Sequence, residues 1–249
     1  MVRSMALPGI LVALVLAAAP VSAQTAGDDD LDEVTERITE RLQAINPQLE
    51  PERVEPSPLP GIYRIVVQGQ IAYISADGRY LIQGDVMDLE TRESISAGTE
   101  RQLRRERIEA HGEDNMIVYR PDGETRHTVT VFTDIDCPYC RRFHRNMDAY
   151  LERGIAVRYI QMPRAGVGSG SYHKAVSVWC ADDRRAAMDR AKGGGEMERR
   201  DCDNPVESQL ELARSLGVNA TPTIVAEDGT VHRGYVPPDE LAARLDGDS

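Results

Sequence analysis

The amino-acid sequence predicts two folded units joined by a helical linker: a small α+β unit first, then a larger α/β unit with a helical insertion. Three observations carry this. At 249 residues the chain is longer than a usual single domain. Residues 31–87 pass from one apolar helix face to alternating strand-like runs with few large side chains. From about Asn115 onward, strand, helix and strand follow in order, the pattern of a parallel sheet covered by helices.

The first residues carry Arg3, an apolar run over 10–19, then Pro20 and Val21-Ser22-Ala23. This is the pattern of a signal peptide over 1–23, cleaved after Ala23. The run is well short of the roughly 20 residues that a spanning helix needs, so a mature protein in an extracytoplasmic space is expected.

In the first unit, residues 24–90, Leu31, Val34, Ile38, Leu42 and Ile45 recur at steps of three and four, one face of a helix that Pro47 closes. A Pro-rich loop is expected over 51–60. Residues 62–67, 70–75 and 79–87 read as strands, and Gln68-Gly69 and Ala76-Asp77-Gly78 between them mark antiparallel hairpins. So small a unit buries too little apolar surface to be comfortably stable alone, and a second copy would complete its core.

Residues 91–112 are charged and favour helix, with Thr99 and Gln102 spaced as a capping box ahead of Leu103 and Ile108. Arg101, Arg104, Arg105 and Arg107 alternate with Glu106 and Glu109, which reads as a solvated helix face rather than a binding patch.

The second unit, 113–249, opens with a β-branched, alternating strand over 127–132. A helix over 141–153 stopped by Gly154 and a strand over 155–162 follow. Helices are expected over 172–192 and 204–216, then a hairpin of 223–226 and 230–235 around Asp228-Gly229, and a last helix over 239–245.

A formal charge of −12 makes nucleic acid an unexpected partner. Arg supplies nearly all the cations; Lys174 and Lys192 are the lysines, and no function is read from that. Four cysteines in an exported chain must each be a bridge, a ligand or a reactive thiol.

The chemistry is concentrated in Cys137-Pro138-Tyr139-Cys140, which follows a strand and opens a helix. At a helix N-terminus, unpaired N–H groups and the helix dipole stabilise a thiolate, so Cys137 is the expected nucleophile of a thiol-disulfide oxidoreductase in a thioredoxin-like domain. Cys140, three residues on, lies on the same face and is the expected resolving thiol. Pro138 suits the first helical position, where its missing N–H costs nothing, and Tyr139 is expected beside the sulfur, exposed. The other reading of Cys-x-x-Cys is half of a zinc site, with His144 as a third ligand. Cys180 and Cys202, 22 positions apart, do not supply the second pair, so neither metal nor cofactor is expected.

Four cysteines allow three pairings. If Cys137 pairs with Cys140, the remaining bridge is a structural one between Cys180 and Cys202; the other possibility is two buried free thiols. Thr221-Pro222 stands where a helix passes into a strand, which argues for a special turn, with a cis bond placing the Thr221 backbone beside the cysteine pair. A trans proline starting the strand is the plainer alternative. The glycines at 166, 168 and 170 lack a P-loop lysine and read as a flexible loop.

These residues together resemble a known family. Phe132-Thr133-Asp134-Ile135-Asp136 before the cysteine pair, Val157-Arg158-Tyr159, Pro163-Arg164, Trp179-Cys180-Ala181, Thr221-Pro222 and Gly234-Tyr235-Val236-Pro237-Pro238 are similar to the periplasmic disulfide isomerases of the DsbC and DsbG type. The resemblance spans nearly the whole mature chain. It implies a V-shaped homodimer joined through the N-terminal units, acting on misfolded disulfide-containing exported proteins. It makes Cys137 the attacking and Cys140 the resolving thiol, Thr221-Pro222 a cis-proline loop that binds substrate with Pro138 and Tyr139, and Cys180–Cys202 the structural bridge. A membrane thiol reductase of the DsbD type would be the electron donor.

One departure matters: Pro138-Tyr139 between the cysteines is the DsbG pattern, whereas DsbC members mostly have Gly at the first of these positions. The short N-terminal unit and linker are more like DsbC. Isomerase is therefore the expected activity, with a DsbG-like reductase of sulfenylated cysteines and chaperone-like binding of unfolded chains as alternatives.

Overall fold

The computed structural model describes residues 30–247; the signal-peptide expectation falls outside them. The described chain forms two sheets, one in each unit.

The first helix, α1 (Leu31–Ile45), starts where the Asp30 carboxylate accepts from the Asp32 amide, and it buries Val34, Ile38 and Leu42. Leu31 and Ile45, at the ends of the same stripe, stay exposed. The buried face packs on Ile65, Ala72 and Ile74 of a four-stranded antiparallel sheet. Its strands are β1 (Pro51–Pro56), β2 (Ile62–Val67), β3 (Gln70–Ser75) and β4 (Leu81–Ile82), in that spatial order.

Two expectations are corrected here. The Pro-rich loop is largely β1, an edge strand. Its two prolines stand at its ends, where a missing N–H breaks no inner ladder. The third expected strand shrinks to Leu81 and Ile82, leaving an open, apolar edge.

The linker is helix α2 (Ile95–His111), but its cap is Ser94, whose hydroxyl accepts from the Ala97 amide; Thr99 is buried in the second turn rather than capping. Nor is the arginine face simply solvated. Arg104 donates to the Gly229 carbonyl at 2.9 Å, and Arg107 reaches both the Glu52 carboxylate of the first unit and the Ser215 carbonyl of the second. Ile108 is buried with residues of the second unit.

Two hairpin turns abut this region. Gly69 (φ +75°) follows Gln68 in the β2–β3 turn, and a Cβ there would lie 2.7 Å from the Ser215 carbonyl oxygen. At Gly229 (φ +84°) a Cβ would meet the Arg101 carbonyl oxygen at 2.2 Å.

The second unit contains β5 (Ile117–Tyr119), β6 (His127–Thr133), α3 (Pro138–Arg145), α4 (Met147–Glu152), β7 (Ile155–Gln161) and α5 (Gly170–Trp179). It continues with α6 (Arg184–Lys192), α7 (Val206–Ser215), β8 (Thr223–Val225), β9 (Val231–Arg233) and α8 (Pro238–Asp246). The sheet order is β5-β7-β6-β8-β9, with β6 and β7 parallel and the other neighbours antiparallel.

Strand alternation divides the core between two faces. Val129, Val131, Val157 and Tyr159 pack with Phe143, Tyr150, Trp179 and Met188 from α3, α4, α5 and α6. Phe132 and Ile160 point the other way, against Leu210 and Ala213 of α7 and Ile108 of α2.

Two of the helices expected in this unit, over 141–153 and 172–192, are broken, whereas the one over 204–216 is the single helix α7. Asn146 ends α3, its side chain donating to the Arg142 carbonyl at 2.8 Å, and α4 follows directly. Between α5 and α6, Asp183 caps the second helix by accepting from the Arg185 and Ala186 amides. Short polar side chains that compete for backbone groups cause both breaks.

Candidate active site

Strand β6 runs to Thr133, and the loop after it is held by one buried carboxylate. Asp134 accepts from the Asp136 amide at 2.8 Å and from the Arg164 amide and Nε at 2.9 and 3.1 Å. Arg141 donates back to the Ile135 carbonyl at 2.9 Å and to Asp136, which Lys174 also contacts. This braced loop sets Cys137 as the N-cap of α3, with Pro138 in its first turn.

Cys137 and Cys140 are free thiols, both buried. Tyr139 between them is 61% exposed. The Cys137 sulfur donates to the Thr221 carbonyl oxygen at 3.3 Å, and the Thr221–Pro222 peptide is cis. Among the described residues, the Thr221 hydroxyl is buried without a hydrogen-bond partner, and it lies near both sulfurs.

The two thiols are driven apart. Burial alone pushes Cys137 up, but the Thr221 hydroxyl, the Cys140 and Tyr139 amides and the Cys140 thiol outweigh it and leave Cys137 below the ordinary thiol value. Cys140 is raised because burial dominates. The Lys192 charge, the Asp134 amide and the Thr133 and Thr221 hydroxyls offset only part of that.

Away from this centre, Cys180 at the end of α5 is bonded to Cys202, with Cα atoms 5.8 Å apart. His144 is engaged by the Tyr159 hydroxyl at 3.2 Å and by Asp189 at 3.0 Å. No group of three or more His, Cys, Asp or Glu side chains converges among the described residues. The glycine-rich run over 166–170 leads into α5, which Ser169 caps by accepting from the Tyr172 amide.

Sequence reasoning did not single out Thr133, Asp134, Arg164 or Lys192 as parts of the site. The Asp134–Arg164 link joins two motifs quoted above only for their resemblance. Lys192 carried a signal, being one of two lysines in an arginine-rich chain, but nothing in the sequence pointed its helix toward the cysteines.

A thioredoxin-like sheet, a Cys-x-x-Cys pair at a helix start and a cis-proline loop beside the first sulfur define a thiol-disulfide oxidoreductase. Residues 113–247 match the thioredoxin-like domain family, and residues 17–97 match the disulfide bond isomerase protein N-terminal domain. The thiol:disulfide interchange protein DsbC of Dickeya dadantii is 37% identical over 198 residues, covering 80% of this chain and 82% of that protein. DsbC of Escherichia coli K12 is 34% identical over 193 residues, covering 78% and 80%. A disulfide interchange protein from Neisseria gonorrhoeae, known by crystal structure, shares 32% identity at a TM-score of 0.48, over 55% of this chain and 96% of that one. The chain belongs to the DsbC family of thiol:disulfide interchange proteins.

Proposed function

We propose that the chain is an exported, homodimeric protein disulfide isomerase in which reduced Cys137 attacks wrong disulfides and Cys140 resolves the mixed disulfide. The observation that carries this reading is the placement of the pair: Cys137 caps the start of α3 with its sulfur against the Thr221 carbonyl, and Cys140 lies one turn inside, fully buried. The Cys137 thiol at the helix start lies below the ordinary thiol value, whereas burial raises the Cys140 thiol above it. A thiolate nucleophile with a protonated neighbour attacks without at once closing its own disulfide, which gives a bound client time to rearrange.

Thr221, whose carbonyl accepts from the Cys137 sulfur, serves with Pro222, Pro138 and exposed Tyr139 as the client-binding surface. Residues 24–90 form the dimerisation unit, 91–112 the linker and 113–249 the catalytic unit. Pairing of the first units is supported by the open β4 edge, where Tyr80, Leu81, Ile82, Met87 and Leu89 are all exposed, Leu89 to 83%. Export rests on the leader over 1–23, and no helix among the described residues is long and apolar enough to cross a membrane. A membrane thiol reductase of the DsbD type is the proposed electron donor. Membership of the DsbC family does not favour the alternatives of sulfenic acid reductase or thiol-independent chaperone.

The test is reactivation of a scrambled multi-disulfide protein in a defined thiol buffer. The reduced protein should restore activity, and Cys137→Ser should not. Equal reactivation by both would overturn the proposal.

A further inference from the structure

Lys192 ends α6 inside the second unit, only 2% exposed, and among the described residues no carboxylate forms an ion pair with it. Its Nζ donates to the Thr133 hydroxyl oxygen at 2.6 Å and to the Asp134 carbonyl at 2.9 Å, and it stands 5.8 Å from the centre of the Tyr159 ring. The same Thr133 hydroxyl is near enough to Cys140 to favour its thiolate. A buried lysine is costly to keep charged, so this placement calls for a reason.

We propose that Lys192 is a positioning residue for the resolving step: it takes the proton of Cys140 through the Thr133 hydroxyl. The inference rests on the reading of Cys140 as the resolving thiol. In the mixed-disulfide state the Cys140 S–H proton passes to the Thr133 oxygen, whose own proton passes to neutral Lys192. One S–H bond breaks and one N–H bond forms, with no change of oxidation state. The Cys140 thiolate then attacks the Cys137 sulfur. A Cys140–Cys137 bond forms, the bond from Cys137 to the client sulfur breaks, and the client leaves as a thiolate carrying the electron pair. In the reverse direction, the ammonium returns the proton to the expelled Cys140 thiolate.

Burial brings Lys192 down to about 8, with the cysteines and Asp134 offsetting part of the effect, so its neutral form is accessible near neutrality. The groups facing it are Cys137 at the cap of α3, Cys140, Arg141 and His144 within that helix, Asp134 from the loop after β6, and Tyr159 from β7. Arg141 lowers its proton affinity further, and His144 is itself pushed toward neutrality by burial.

The experiment mixes the reduced full-length protein with the aromatic disulfide dithiobis-nitrobenzoate and follows release of the coloured thiolate by stopped flow. Attack by Cys137 releases the first equivalent and attack by Cys140 the second. Cys140→Ser should abolish the second step; two steps in that variant would sink the resolving-thiol reading whatever Lys192 does.

Given that control, Lys192→Met should slow the second step about tenfold at neutral pH, the effect of roughly one pKa unit on a thiolate population, and leave the first within about twofold. In the wild type the second step should level off above pH about 8, where Lys192 is neutral. In Lys192→Met it should keep rising, following the raised Cys140. Thr133→Val keeps the charge and removes the bridge. It should slow the second step comparably, and adding Lys192→Met to it should change little further. An unchanged second step in either variant, or equal slowing of both steps, would overturn the relay. If Lys192→Met fails to fold, Thr133→Val decides alone.

Discussion

The Cys137 sulfur and the Thr221 carbonyl oxygen lie 3.3 Å apart, although 84 positions separate them in sequence. The thiol donates to that carbonyl, so ionisation of Cys137 frees the Thr221 oxygen to accept from another donor at the point where the sulfur becomes reactive. A client backbone N–H lying along the loop would supply that donor.

Cys137→Ser should abolish exchange, while Cys140→Ser should still attack but fail to release. Covalent client adducts, visible as a mass shift on non-reducing gels, should accumulate only in the second variant. Equal trapping by both variants, or by neither, would reverse or erase these roles.

Alkylation should distinguish the two thiols by pH. Iodoacetamide reacts with thiolate, so labelling of Cys137 should rise with pH and reach its plateau below the ordinary thiol range, because its folded-state value is lowered. Cys140, raised by burial, should label slowly until well above that range. Mass spectrometry after timed quenching gives both profiles, and reversal of the order would contradict the electrostatics described above.

Replacing both Cys180 and Cys202 by Ala should lower stability by about 3 kcal/mol, the chain-entropy value for a loop of this length. It should leave the rate of the first thiolate release unchanged, because this bridge does not touch the reacting pair. Urea unfolding measures the first effect and stopped flow the second.

A protein lacking residues before about Ser94 should be monomeric, keep insulin reductase activity and lose most isomerase activity, since the reacting residues lie in the second unit. It should also become a better substrate for an oxidase. Cutting instead at Gly112 should destabilise this monomer further, by roughly 2 kcal/mol or more, because it removes Ile108 from the core beneath Phe132 and Leu210. Sedimentation, scrambled-protein refolding and denaturant melts report these outcomes separately; a shortened protein that stays dimeric would refute the role given to the first unit.

The features legible in sequence were those encoded locally. Val34, Ile38 and Leu42 reveal α1 by their spacing, and Cys137 is marked by its place between a strand and a helix. What escaped depends on partners far along the chain. Pro51 and Pro56 read as loop residues until β1 is known to be an edge. The arginines of α2 look solvated because the carbonyls of Ser215 and Gly229, which accept from Arg107 and Arg104, lie more than a hundred positions away. Lys192 is invisible as part of the site because its helix belongs to a segment whose fold over the strand–helix core no spacing rule describes.

Arg107 holds a carboxylate of the first unit and a carbonyl of the second with a single guanidinium. The helix that carries it is therefore a splint rather than a tether. In a pair of such chains this grip would favour a fixed span between the two Cys137 sulfurs over one set by chain statistics, and loosening it should widen the range of client shapes accepted while weakening the hold on each.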